Sequence, residues 1–106
     1  MSRDSLGEFE QLVLLACLRL EERAYTVAII EELKARAGRS VSHASVHVAL
    51  TRMEKKGLVR SALGQATAAR GGRPKRYFRV TPAAFPLLRE SRDALLRMWQ
   101  GLEPLG

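Results

Sequence analysis

Residues Gly38 to Val59 read GRSVSHASVHVALTRMEKKGLV, and this stretch decides the fold. It runs as a short turn, a capped amphipathic helix, a glycine stop and the start of a strand. Ser42 is the expected cap, because a hydroxyl there accepts a backbone N–H that has no partner within the helix. Val46, Ala49, Leu50 and Met53 recur at helical spacing and define one apolar stripe. Lys55 and Lys56 place positive charge at the negative end of the helix dipole, and Gly57 is free to take the positive φ that ends a helix. At about 100° per residue, the side opposite the stripe carries Ala44, Val48, Thr51 and Lys55, flanked by His47 and Arg52. Small side chains edged by cations let a helix approach another surface closely, and the major groove of DNA admits such a helix. A solvated helix in any small α-rich domain has the same pattern, so the flanking sequence has to decide.

On the N-terminal side, Tyr25, Ile29, Leu33 and Ala37 are spaced four apart, with Val27 and Ile30 beside them. A helix from Tyr25 or Thr26 to Ala37, ended by Gly38, followed by the helix from Ser42, makes a helix–turn–helix. Before it, a short polar link (21–24) separates a first helix expected over Leu6 to Leu20. Ser5 and Glu8 stand as a capping-box pair for its start. Phe9, Leu12, Val13, Ala16, Cys17 and Leu20 form one face, and Leu14, Leu15 and Leu18 lie outside it. A helix apolar over most of its circumference needs cover on more than one side, part of it expected from a second subunit.

On the C-terminal side, 58–63 and 75–80 alternate as two strands. The intervening GQATAARGGRPK (64–75) is a long basic hairpin loop. A two-stranded hairpin is not stable alone, so it must lean on the helices as a wing. Thr81-Pro82 reads as a cap with proline at the first helical position, and the last helix runs to about Gly101. Pro86 either bends that helix or delays its regular start to near Phe85. Leu88, Ser91, Leu95, Met98 and Leu102 alternate three and four apart, the spacing of a helix–helix seam. With Leu14 and Leu18 of the first helix they form the expected dimer interface. The fold expected is therefore mainly α with a two-stranded β wing, in a single domain: a winged helix–turn–helix (6–80) and a C-terminal dimerisation helix (81–102).

A chain of 106 residues has room for one core. Its formal charge of +7 asks for an anionic partner. The distribution says more: Lys55 to Arg89 holds nine cations and no acid, whereas residues 1–34 hold seven acids against four cations. The positive field is local, as a docking surface requires. The single cysteine, Cys17, sits among leucines as a buried apolar residue and fits a reducing, cytoplasmic setting. No run of apolar residues reaches membrane-span length, and MSRDSLGEFE lacks a signal-peptide pattern.

SVHVALTRMEKKGLV and then GGRPKRYFRVTP, in this order and spacing, resemble the PadR family of winged-helix transcriptional regulators. The likeness covers nearly the whole chain, in a short form with one C-terminal helix. It implies a homodimer that represses genes until a signal releases it, with the C-terminal helix packed on the first helix of the partner. It also implies a tyrosine at the position of His47, a departure that bears on operator preference.

The resulting assignment has three parts. Ser42, His43, His47, Thr51 and Arg52 are candidate major-groove contacts, Arg52 alone being able to fork onto guanine. Lys55, Lys56 and Arg60 would hold phosphates and set position. Arg70, Gly71, Gly72, Arg73, Lys75 and Arg76 would lie along the backbone or enter a minor groove. Trp99, beside the seam, has two readings: packing at the dimer interface, or, as in some relatives, a wall of a flat pocket for a small aromatic effector.

Other functions fit less well. His43 and His47 have the i, i+4 spacing of a metal pair, but no acid lies between them and Cys17 is on another helix. No carboxylate pair serves catalysis in the basic half, so no enzyme, cofactor or metal is expected. RNA recognition lacks a stacking platform. Membrane association lacks a basic amphipathic helix. A dimerisation or adaptor module without DNA binding is the competing reading, and it leaves the basic, acid-free wing without a purpose.

Overall fold

The computed structural model describes residues 6–64 and 74–102. Its elements are α1 (Glu8–Leu20), a single 3-10 turn (Glu21–Arg23), α2 (Thr26–Ala37), α3 (His43–Lys55), β1 (Val59–Leu63), β2 (Arg76–Val80) and α4 (Ala84–Trp99). The winged helix–turn–helix expected from the sequence is thus present, with differences at three helix ends and on one helix face.

The first difference is the start of α1. The helix begins after Gly7, whose N–H donates to the Glu10 carboxylate at 3.3 Å, while Leu6 lies outside it, buried. Ser5 lies outside the described residues. Two acids in the first turn, Glu8 and Glu10, suit the positive end of the helix dipole.

The second difference concerns which side of α1 is covered. Val13, Leu14, Ala16, Cys17 and Leu20 are all buried within one subunit, against Ile29 and Leu33 of α2 and Val46, Leu50 and Met53 of α3. Leu14 has no exposed surface at all, which removes it from the dimer interface: the core of its own subunit already encloses it. What α1 still offers is Leu15, 45% exposed, and the half-buried Leu18.

Capping at α3 follows the sequence closely. Ser42 Oγ accepts the Ser45 N–H at 3.0 Å, and Ser45 Oγ donates back to the Ser42 carbonyl at 2.9 Å. Gly38 and Gly57 adopt φ of +68° and +79°, the left-handed conformation that closes α2 and lets the chain turn from α3 into β1.

The hairpin is antiparallel, pairing Val59 with Val80, Ser61 with Phe78 and Leu63 with Arg76. Side chains alternate across it. One face carries the buried Val59 and Phe78 into the core; the other carries Arg60, Ala62, Tyr77 and Arg79. It leans on the link between α1 and α2: the Phe78 N–H donates to the Ala24 carbonyl at 2.8 Å, and Tyr25 bridges to Tyr77, their rings edge-on at 5.6 Å. Gly64 extends the pairing at the loop end of the hairpin, donating to the Lys75 carbonyl; a Cβ there would lie 2.6 Å from the Tyr77 ring.

The third and fourth differences are at α4. Thr81 is not its cap. Its hydroxyl donates to the Gly57 carbonyl at 2.6 Å and its N–H to the Leu58 carbonyl at 2.9 Å, so it ties the end of β2 to the end of α3. Pro82 falls in the preceding turn and the helix starts at Ala84. Pro86 is then the third helical residue, where a missing N–H forfeits nothing, which satisfies the later-start reading. The helix closes at Trp99, two residues short of the expected Gly101. Ala84 and Leu88 reach the core; beyond them the helix runs clear of the body, within overall extents of 55 × 29 × 21 Å. Among the described residues no helix is long and apolar enough to cross a membrane.

Candidate nucleic-acid interface

Helix α3 organises the site. With Val46, Ala49, Leu50 and Met53 buried, Ser42, His43, Ala44, His47, Val48, Thr51, Arg52, Lys55 and Lys56 are all exposed. Helical geometry sorts them. Ala44, Val48, Thr51 and Lys55 line the outermost face. Arg52 and Lys56 turn toward the start of α1, sharing a groove there with Glu8, Phe9 and Ser45. His43, His47 and Glu54 turn to the opposite flank, from which Glu54 reaches the hairpin. A shallow depression lined by His47, Val48, Thr51, Arg52 and Lys55 runs along the face itself.

Among the described residues, no ion pair neutralises the charge on this surface. The ion pairs among the described residues are Arg19–Glu32, Arg36–Glu32, Arg39–Glu8 and Arg92–Asp93. None involves Arg52, Lys55, Lys56 or Arg76, so these cations are available to an anionic surface. Arg39 contributes differently: its 2.8 Å contact with Glu8 pins the turn between α2 and α3 to the start of α1.

The hairpin residues expected to touch DNA divide into four cases. Arg76 is exposed on β2, and its Nη1 donates to Ser61 Oγ at 3.0 Å. Lys75 is half-buried, its ammonium 3.6 Å from the centre of the Tyr25 ring, a cation–π contact that holds the loop end of the strands against the start of α2. Arg60 stands directly across from Arg79, on the face that points away from the core and from Ser61. The structure therefore does not group it with the α3 contacts. Arg70 and Arg73, with Gly71 and Gly72, lie outside the described residues.

Sequence reasoning missed Glu54, Ser61 and Tyr25. The available signal was Glu54, the only carboxylate between Glu32 and Glu90. The pairing of Lys75 with Tyr25, fifty residues apart in the chain, had no local signature.

At the proposed dimer surface, Leu95, Met98, Trp99 and Leu102 are 57%, 75%, 55% and 44% exposed, and Leu96 beside them 59%. Ser91 is half-buried, and Leu88, at 9%, is largely used by the subunit's own core. Among the described residues, no group of three or more His, Cys, Asp or Glu side chains is placed to hold a metal.

A helix–turn–helix whose second helix is exposed, backed by a basic two-stranded hairpin, defines a winged helix–turn–helix of the DNA-binding class. A family model described as the transcriptional regulator PadR-like family matches residues 14–84. The chain belongs to that family, whose members regulate transcription and are not enzymes. Among solved structures, it is similar to a PadR-like transcription factor from Bacteroides fragilis (24% identity over 94% of this chain and 91% of that one, TM-score 0.73). A PadR family transcriptional regulator from Eggerthella lenta (26%, 92% and 85%, TM-score 0.69) and a PadR-like regulator from Bacillus cereus (22%, 92% and 89%, TM-score 0.72) are also similar. No curated protein matches the chain in sequence.

Proposed function

We propose that the protein is a cytoplasmic transcriptional repressor that binds a palindromic operator as a homodimer and is released by a signal. The observation that carries this reading is the exposed face of α3, which combines small side chains with Arg52, Lys55 and Lys56, none of them paired to a carboxylate among the described residues. A small-chained face lets the helix lie deep in a major groove, where Arg52 can reach a base edge while Lys55 and Lys56 meet phosphates.

Exposed apolar side chains on α4 support the same reading from the other end of the molecule. Leu95, Leu96, Met98, Trp99 and Leu102 form an apolar surface at the end of α4 that one subunit leaves uncovered. Contiguous apolar exposure of this kind marks an interaction site. Pairing two copies through α4 and the Leu15–Leu18 edge of α1 would present two α3 helices to one side of a duplex, about 34 Å apart. Trp99, at that junction, is the residue against which a flat aromatic effector would stack.

The test is enrichment of duplexes from a random pool by the purified protein, with the complex then weighed by sedimentation. The reading expects an inverted repeat bound by two subunits. Enrichment of asymmetric sequences by single subunits, or of none at all, overturns it.

A further inference from the structure

Glu54 is an oddity of this surface. It is the one acid in a run otherwise free of carboxylates from residue 33 to residue 89. It lies in the last turn of α3, where the helix dipole disfavours an anion. It also sits beside the surface assigned to phosphates, which would repel it. Its contacts supply a reason. Glu54 Oε2 accepts the Ser61 hydroxyl at 2.8 Å, and the Ser61 oxygen accepts from Arg76 Nη1 at 3.0 Å. The chain of bonds crosses from α3 through β1 to β2.

We infer that Glu54 is a positioning residue for DNA recognition: through Ser61 it holds the Arg76 guanidinium of the wing beside the flank of α3 that carries His47 and Glu54 itself. This rests on the DNA-binding reading above. A serine hydroxyl has a single proton to give and two lone pairs. With its proton committed to Glu54, the Ser61 oxygen keeps its lone pairs turned to Arg76, which can only donate. Without the carboxylate the hydroxyl is free to rotate, and Arg76, exposed on a two-stranded hairpin, loses its fixed direction. The guanidinium has further N–H groups beyond the one engaged, so it can hold Ser61 on one edge and present the other to a phosphate or base. Helix and wing then meet the DNA as one rigid unit.

The alternative is that Glu54 is a solvated charge that merely lowers affinity, and the two predict opposite signs. Electrostatics alone makes Glu54→Ala bind any duplex more tightly. Positioning makes it bind the enriched duplex more weakly. The experiment measures fluorescence anisotropy of the full-length protein on the duplex that the wild-type protein enriches from a random pool. Glu54→Ala and Ser61→Ala should each weaken binding by roughly three- to tenfold, the scale of one lost hydrogen bond. Glu54→Gln, which keeps an acceptor for Ser61 and drops the charge, should bind at least as tightly as wild type. Adding Arg76→Ala to Glu54→Ala should weaken binding little further. Equal or tighter binding by Glu54→Ala, an unaffected Ser61→Ala, or a Glu54→Gln as weak as the alanine variant overturns the inference while leaving the DNA-binding reading intact. Failure of the wild-type protein to enrich any duplex overturns both. Ser61→Ala changes no charge and sits on an exposed hairpin, so it decides the matter if Glu54→Ala does not fold.

Discussion

At the scale of single residues, two cations that look alike in sequence do different things. Arg52 is exposed at the edge of α3 and has no ion pair among the described residues, whereas the Lys75 ammonium rests on the Tyr25 ring. Arg52→Ala should therefore lose preference for the operator over unrelated DNA by about 1–3 kcal/mol, the worth of a fork to guanine. Equal weakening on all sequences would make it a phosphate contact. Lys75→Met should leave the slope of log affinity against log salt nearly unchanged; a fall of close to one would place Lys75 on a phosphate. Burial pushes the Cys17 thiol up to about 12 from a usual 9. Because only the unfolded chain would lose that proton between those values, this group's contribution to stability is full below about pH 9 and falls as pH rises toward 12. In folded protein at pH 8 the thiol should resist alkylation. The sequence shows which side chains carry charge. It does not show which are engaged, because Tyr25 and Lys75, or Glu54 and Arg76, meet only after the hairpin folds back.

At the scale of elements, what was legible was what is local. Ser42, the Val46–Met53 stripe and Gly57 lie within sixteen residues, and each acts on backbone a turn away. Ser42→Ala should accordingly cost about 1 kcal/mol in denaturant unfolding, and a value near zero would mean that water replaces the cap. The start of α4 was less legible because a tertiary bond competes for Thr81: the Gly57 carbonyl takes the hydroxyl that would otherwise cap the helix. The two-stranded pairing was readable from alternation, yet the side of the hairpin on which Arg60 falls was not. That depends on register, and a shift of one residue exchanges the faces.

At the scale of the whole molecule, an apolar residue is either core or interface, and composition cannot separate the two. Leu14 and Leu95 are both leucines on largely apolar helix faces; one is wholly enclosed by its own subunit and the other is 57% exposed. Leu95→Asp should give monomers in sedimentation with an unchanged helical circular dichroism spectrum, whereas Leu14→Asp should not fold, since it buries a charge without a partner. A dimeric Leu95→Asp protein would move the interface off α4. The central claim is that two α3 helices read one side of a duplex, and hydroxyl-radical footprinting of the wild-type protein on its enriched duplex tests it most directly. Two protected patches are expected on one side of the DNA, their centres about 10 base pairs apart. One patch, or protection on opposite sides of the duplex, would contradict it.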